Sequence, residues 1–138
     1  MRIAHKSAGR HGSAVIEVAI IMPVVFFLLF GTLVGCSLVF TYQELATLAR
    51  EGARWACVHG TRHAADTAEA PATADDIYNN GIVPRMMTVD PTRVTYNVTW
   101  NTSNKPGNYV SVQVNYTWSN IVFGDVPLTS TSTQRMMW

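Results

Sequence analysis

Charged side chains are scarce in this sequence: Asp, Glu, Lys and Arg make up 14% of 138 residues and sum to a formal net charge of +1. A chain so close to neutral carries no electrostatic footprint for nucleic acid. Cysteine is scarcer still, with only Cys36 and Cys57. Both fall on one predicted helix, about 30 Å apart if it is straight, far beyond the span of a disulfide. The chain is therefore not a disulfide scaffold, even though its outer part would occupy a disulfide-permissive compartment. No Gly-rich phosphate loop, nucleophile elbow or Ser/His/Asp arrangement is present. Asp75 and Asp76 are adjacent, so on a helix their side chains diverge; they read as first-turn charges and not as an acid/base pair. These absences point away from an enzyme, and no cofactor is expected.

The longest absence defines the chain. From Val18 to Thr41 there is no charged residue, and the wider apolar run from Ser13 to about Tyr42 carries Glu17 alone before its far end. As a helix this run exceeds the roughly 30 Å of a bilayer core, so it should be embedded in a membrane. Arg2, Lys6 and Arg10 precede it, whereas Arg50 and Arg54 beyond it share their region with Glu44 and Glu51. That bias places the N-terminus in the cytoplasm and the C-terminal part outside. A secretory signal peptide would have a shorter apolar core with its cleavage site after it. Gly35-Cys36-Ser37 loosely evokes a lipoprotein site, but the run before it is overlong.

A carboxylate inside a spanning segment is costly, and Glu17 has two accounts. It sits in the first helical turn, where the helix dipole and headgroup water favour it, or it serves another purpose. Its context is Gly12-Ser13-Ala14-Val15-Ile16-Glu17 behind a short basic leader. This context resembles the processing site of type IV prepilins. The resemblance implies that a membrane aspartyl prepilin peptidase cuts after Gly12, making Ser13 the new N-terminus and Glu17 the fifth residue of the mature chain. In an oligomer packed through this helix, Glu17 would neutralise the α-amine of a neighbouring chain, a buried pair that neither chain could complete alone.

Within the spanning helix Pro23 introduces a kink that membrane helices tolerate. Gly31 and Gly35 form a G-x-x-x-G pair; such a pair permits close approach of another helix, although glycine is also simply frequent in membrane helices. The helix is expected to continue to about Val58, because Leu45, Leu48, Gly52 and Trp55 recur at three- and four-residue spacing while Gln43, Thr47, Arg50, Glu51 and Arg54 fall mostly on the other side. Such a helix would be roughly 70 Å long. Ala49, Gly52, Ala53 and Ala56 offer a close-approach face, and Glu51 with Arg54 forms an i,i+3 pair on the wet side. A merely solvated charged face accounts for those charges equally well.

The run Ala49-Arg50-Glu51-Gly52-Ala53-Arg54, followed by Trp55 and Ala56, resembles the A-R-E-G-A-R signature of the TadE-like family, the pseudopilins of Tad (Flp-type) pilus systems. The Gly-then-Glu start, Pro23 and Tyr42-Gln43 extend the resemblance over residues 12 to 57, and it fades beyond. It implies a single-pass protein of the bacterial inner membrane, processed by prepilin peptidase. It also implies a structural part in assembling a thin adhesive pilus, with other pilins and the assembly platform as partners.

After His59-Gly60 the composition shifts to Ala, Thr, Asp and Pro up to Ala72, which reads as a linker. Thr73 is placed to cap a short helix with Asp75 and Asp76 in its first turn; Asn79-Asn80-Gly81 and Pro84 oppose its continuation. Residues 93 to 100 and 109 to 118 alternate apolar and polar positions and read as strands of a hairpin through Asn104-Lys105-Pro106-Gly107, with Thr129 to Met136 as a weaker third. The expected fold is α+β: a long N-terminal transmembrane helix running into a small three-stranded antiparallel domain, as in pilins. The expected divisions are a leader at 1–12, the helix at 13–58 and the outer domain at 59–138. Cys57, His59, His63 and Asp66 are metal-capable, but Gly60 interrupts them and no Glu follows His59, so no metal site is expected. Two other readings remain open on sequence: a signal-anchored envelope protein with a non-enzymatic binding domain, and a tethered metalloenzyme using Cys57 and His63.

Overall fold

The computed structural model describes residues 11–121 and 123–137; residues 1–10, most of the expected leader, lie outside them. The chain divides into one unit ending at Ser37 and a second, Leu38–Trp138. Helix α1 (His11–Val58) belongs to both.

In the first unit α1 is long and apolar enough to cross a membrane. Its apolar side chains face outward, with Ile20 68% and Phe27 77% exposed. The hydroxyls of Thr32 and Ser37 donate to the carbonyls of Leu28 and Val34 at 2.8 and 2.7 Å, which satisfies them inside the helix as an apolar solvent requires. One such helix is consistent with single-pass membrane anchoring.

The second unit is built on the last turns of α1. A short helix α2 (Thr61–Thr67) follows where the composition suggested a linker. Burial of Ala64 and the bond from Thr61 N–H to the Asn104 carbonyl (3.0 Å) hold it against the domain. Helix α3 (Ala74–Asp76) begins at the expected N-cap, where Thr73 and Asp76 form a reciprocal capping box. The winding does not stop at Asn79-Asn80-Gly81, as expected, but continues as a π-helical segment Ile77–Ile82 and a 3₁₀ turn Val83–Arg85. The glycine there serves packing. A methyl group at Gly81 would stand 3.1 Å from Trp55 Cβ and 3.4 Å from Gly52 Cα, so the two backbones meet at paired glycines.

Strands β1 (Val94–Trp100), β2 (Tyr109–Asn120) and β3 (Gly124–Arg135) form an antiparallel meander in the order β1-β2-β3. The α+β architecture expected from the sequence is thus present. Val94, Val98, Val110, Val112 and Val114 alternate onto one face and are buried in a single core with Leu45, Leu48, Ala49, Ala53, Ile77 and Ile82. β3 starts five residues earlier than expected. Pro127 sits inside it opposite Thr117, which an edge strand tolerates because proline lacks only the N–H.

Candidate functional site

The signature segment lies where α1 meets the sheet domain. Ala49 and Ala53 are fully buried, and a methyl at Gly52 would come within 2.9 Å of Ile82 Cγ1 and 3.3 Å of Val112 Cγ1. The small residues of the signature are therefore explained by the chain's own domain, which occupies their face. Arg50 and Arg54 are exposed. Glu51 pairs with Arg85, with 3.5 Å between Oε2 and Nε, in place of the i,i+3 partner Arg54 expected from the sequence. Arg85 also donates to the carbonyls of Asn80 and Gly81 at 3.2 and 3.0 Å. One guanidinium thus ties the π-helical segment to the signature helix.

Trp55 is half-buried and not a full core residue. Its ring stacks on His59, centroids 3.9 Å apart and planes 13° from parallel, and His59 meets His63 edge-on at 4.8 Å. His59 Nδ1 lies 2.9 Å from the Trp55 carbonyl, and His63 is 4.0 Å from Glu69. Cys57 is buried, its thiol donating to the Arg54 carbonyl at 3.1 Å. The four metal-capable residues are thus spread between a ring stack, the core and an exposed Asp66. Among the described residues no three His, Cys, Asp or Glu side chains gather as a metal cage.

At the far N-terminal end of the helix, Gly12 and Glu17 are both exposed. A methyl at Gly12, Gly31 or Gly35 would meet nothing within 4 Å. Unlike Gly52, these glycines meet no packing neighbour among the described residues.

Three contacts have no counterpart in the sequence reading. The Glu44 carboxylate accepts the backbone N–H groups of Met87 (2.7 Å), Thr88 (3.0 Å) and Val89 (3.4 Å), and the Thr88 hydroxyl as well. Tyr78 and Tyr96 stack at 4.3 Å, and the Tyr96 hydroxyl donates to Asp75 at 2.6 Å. That bond pushes the Tyr96 phenol up to about 12, with desolvation and the Asp75 and Tyr78 charges adding to it. Asp76 and Asp90 are held below their ordinary values by hydrogen bonds from Thr73 and Thr92 respectively. The sequence signal for Asp76 was its three-residue spacing from Thr73; the Glu44 and Tyr96 contacts join residues too distant for any local pattern.

The geometry defines a class: an apolar helix able to span a membrane, whose last turns are the spine of a small α+β domain. Residues 12–54 match the family model described as TadE-like protein, so this segment is similar to that family, in line with the resemblance its signature carries. The match opens at Gly12, closes at Arg54 and leaves the sheet outside it. Neither curated proteins nor solved structures yield a significant match.

Proposed function

We propose that this protein is a membrane-anchored pseudopilin, a structural and non-catalytic minor subunit in assembly of a Tad (Flp-type) pilus that supports adhesion. The observation that carries the reading is the family match over residues 12–54, which contains the Gly12-to-Glu17 start, the apolar run and the signature through Arg54. In this reading residues 1–12 are a cytoplasmic leader removed by prepilin peptidase, 13–58 the inner-membrane and extended helix, and 59–138 the extracytoplasmic domain. Glu17 receives the α-amine of Ser13 on a neighbouring pilin, and Gly31 and Gly35 admit a neighbouring helix. The open space around Gly12, Gly31 and Gly35 supports roles that lie outside the single chain. Of the signature residues, Ala49, Glu51, Gly52, Ala53 and Trp55 act through the fold, seating the outer domain on its helix, while Arg50 and Arg54 face outward. Deleting the gene in its native host and counting surface pili tests the reading. Piliation should fall and return with the wild-type copy; undiminished pili and adhesion would reject it.

A further inference from the structure

The β2–β3 hairpin outruns the rest of the sheet. β1 pairs with β2 only as far as Val94 opposite Tyr116, whereas β2 and β3 remain paired to Asn120 opposite Gly124. The four further residues on each strand form a two-stranded ribbon reaching about 13 Å past β1 at the usual rise per residue. Ile121 and Phe123 stand at its tip. Ile121 is fully exposed and Phe123 is 61% exposed. Large apolar residues grouped at a tip, with polar sequence on both sides, mark a contact surface.

The direction of the ribbon identifies what it touches. Met137 N–H bonds to the Cys57 carbonyl, and Gly52 lies against Val112. β2 therefore runs opposite to α1, and its tip projects toward the Leu38 end of the second unit, where the chain continues into the apolar run. Met87, 87% exposed, is held on the same side by the bond from its N–H to Glu44. Tyr42, exposed on α1 at this end beside the exposed Phe40, is of the kind that lines a membrane interface. We infer that Ile121 and Phe123, with Met87 on the same side of the domain, dip into the headgroup and upper acyl region of the bilayer that holds α1. The outer domain then rests on the membrane at a second point. The inference depends on the reading of α1 as a membrane anchor. The tether keeps the tip at high effective concentration beside the surface, so an insertion too weak to hold a free domain suffices.

The full chain, reconstituted into vesicles of phosphatidylethanolamine and phosphatidylglycerol, carries an environment-sensitive fluorophore at Ser119→Cys in a Cys36→Ser background. This label leaves Ile121 and Phe123 intact. Its emission should be blue-shifted and quenched by lipids spin-labelled near the headgroup several-fold more than a label at Thr99→Cys, on the opposite end of the sheet. Adding Ile121→Asp with Phe123→Asp, both at exposed positions, should return the Ser119 label to water. A parallel label on native Cys36 reports the helix. If Cys36 is quenched by deep spin labels while the Ser119 label stays in water, the tip contact is wrong and the anchor stands. If Cys36 itself is in water, both fail. A blue shift at Ser119 that ignores spin-labelled lipid but grows with protein-to-lipid ratio would mean that a second copy covers the tip, and would also overturn the inference.

Discussion

Glu44 on α1 and Thr88, which follows the 3₁₀ turn, are joined through both the backbone N–H and the hydroxyl of Thr88, with the N–H 3.0 Å from Oε1. The same carboxylate takes the N–H groups of Met87 and Val89, so a single side chain satisfies three consecutive donors. Hydrogen bonds to an ionised acceptor contribute about 1.5–3 kcal/mol each when well desolvated, and partial exposure here reduces that figure. Glu44→Gln should therefore destabilise the outer domain by about 1–2 kcal/mol. Amide hydrogen exchange at Met87 and Thr88 should accelerate well beyond exchange in β2, while unchanged exchange would mean that the segment is held by its other contacts.

Gly52 and Gly81 face each other where α1 meets the π-helical segment, and a methyl at Gly52 would intrude to 2.9 Å of Ile82. Overpacking commonly costs about 1–3 kcal/mol, of which better helix propensity returns at most about 1 kcal/mol. Gly52→Ala should lower the melting temperature of the outer domain. Gly31→Ala and Gly35→Ala, with open space around them, should leave it unchanged. The comparison separates glycines that serve this fold from those that face outward.

The phenol of Tyr96 is raised from an ordinary 10.0 to about 12, first by its bond to Asp75. The unfolded chain therefore loses this proton at lower pH than the folded one. The stability the bond contributes is complete below pH 10 and is lost as pH rises toward 12. Denaturant titrations of wild type and Tyr96→Phe should differ by a constant amount up to about pH 10 and converge above it. A gap that persists undiminished at the alkaline end would show that the phenol does not gain this bond on folding.

How far these features could be foreseen depended on their range. Alternation at Val110, Val112 and Val114 revealed the central strand because a half-buried sheet imposes a period of two, and Thr73 revealed its cap because the partner is three residues away. The helix spine was legible for the same reason: its apolar positions and the Ala49-to-Arg54 run are local patterns. Glu44 reads in the sequence only as a charge beyond the membrane run, since its partners lie more than 40 residues on. Glu51 has Arg54 as its local candidate on the helix, whereas the fold brings Arg85 to it. Pro127 hid the first half of β3, and α2 resembled a linker because its anchor is the distant carbonyl of Asn104.

Glu17 offers a test of assembly apart from insertion. Neutral Gln there should ease insertion, by up to the few kcal/mol a carboxylate costs in a spanning helix. Pairing with a neighbour's α-amine predicts the opposite effect on pili, since breaking a buried ion pair commonly costs about 3–5 kcal/mol. In a strain with Glu17→Gln as the only copy, membrane abundance should persist while co-purified pilins and surface pili fall. Wild-type piliation would leave Glu17 with no more than a headgroup-facing role.

The most direct measurement is the intact mass and N-terminal sequence of the protein purified from membranes of cells with active prepilin peptidase. The account predicts a chain beginning at Ser13, with the twelve-residue leader retained when Gly12 is changed to Ala. A wild-type protein that still begins at Met1 in those cells would contradict the pseudopilin reading.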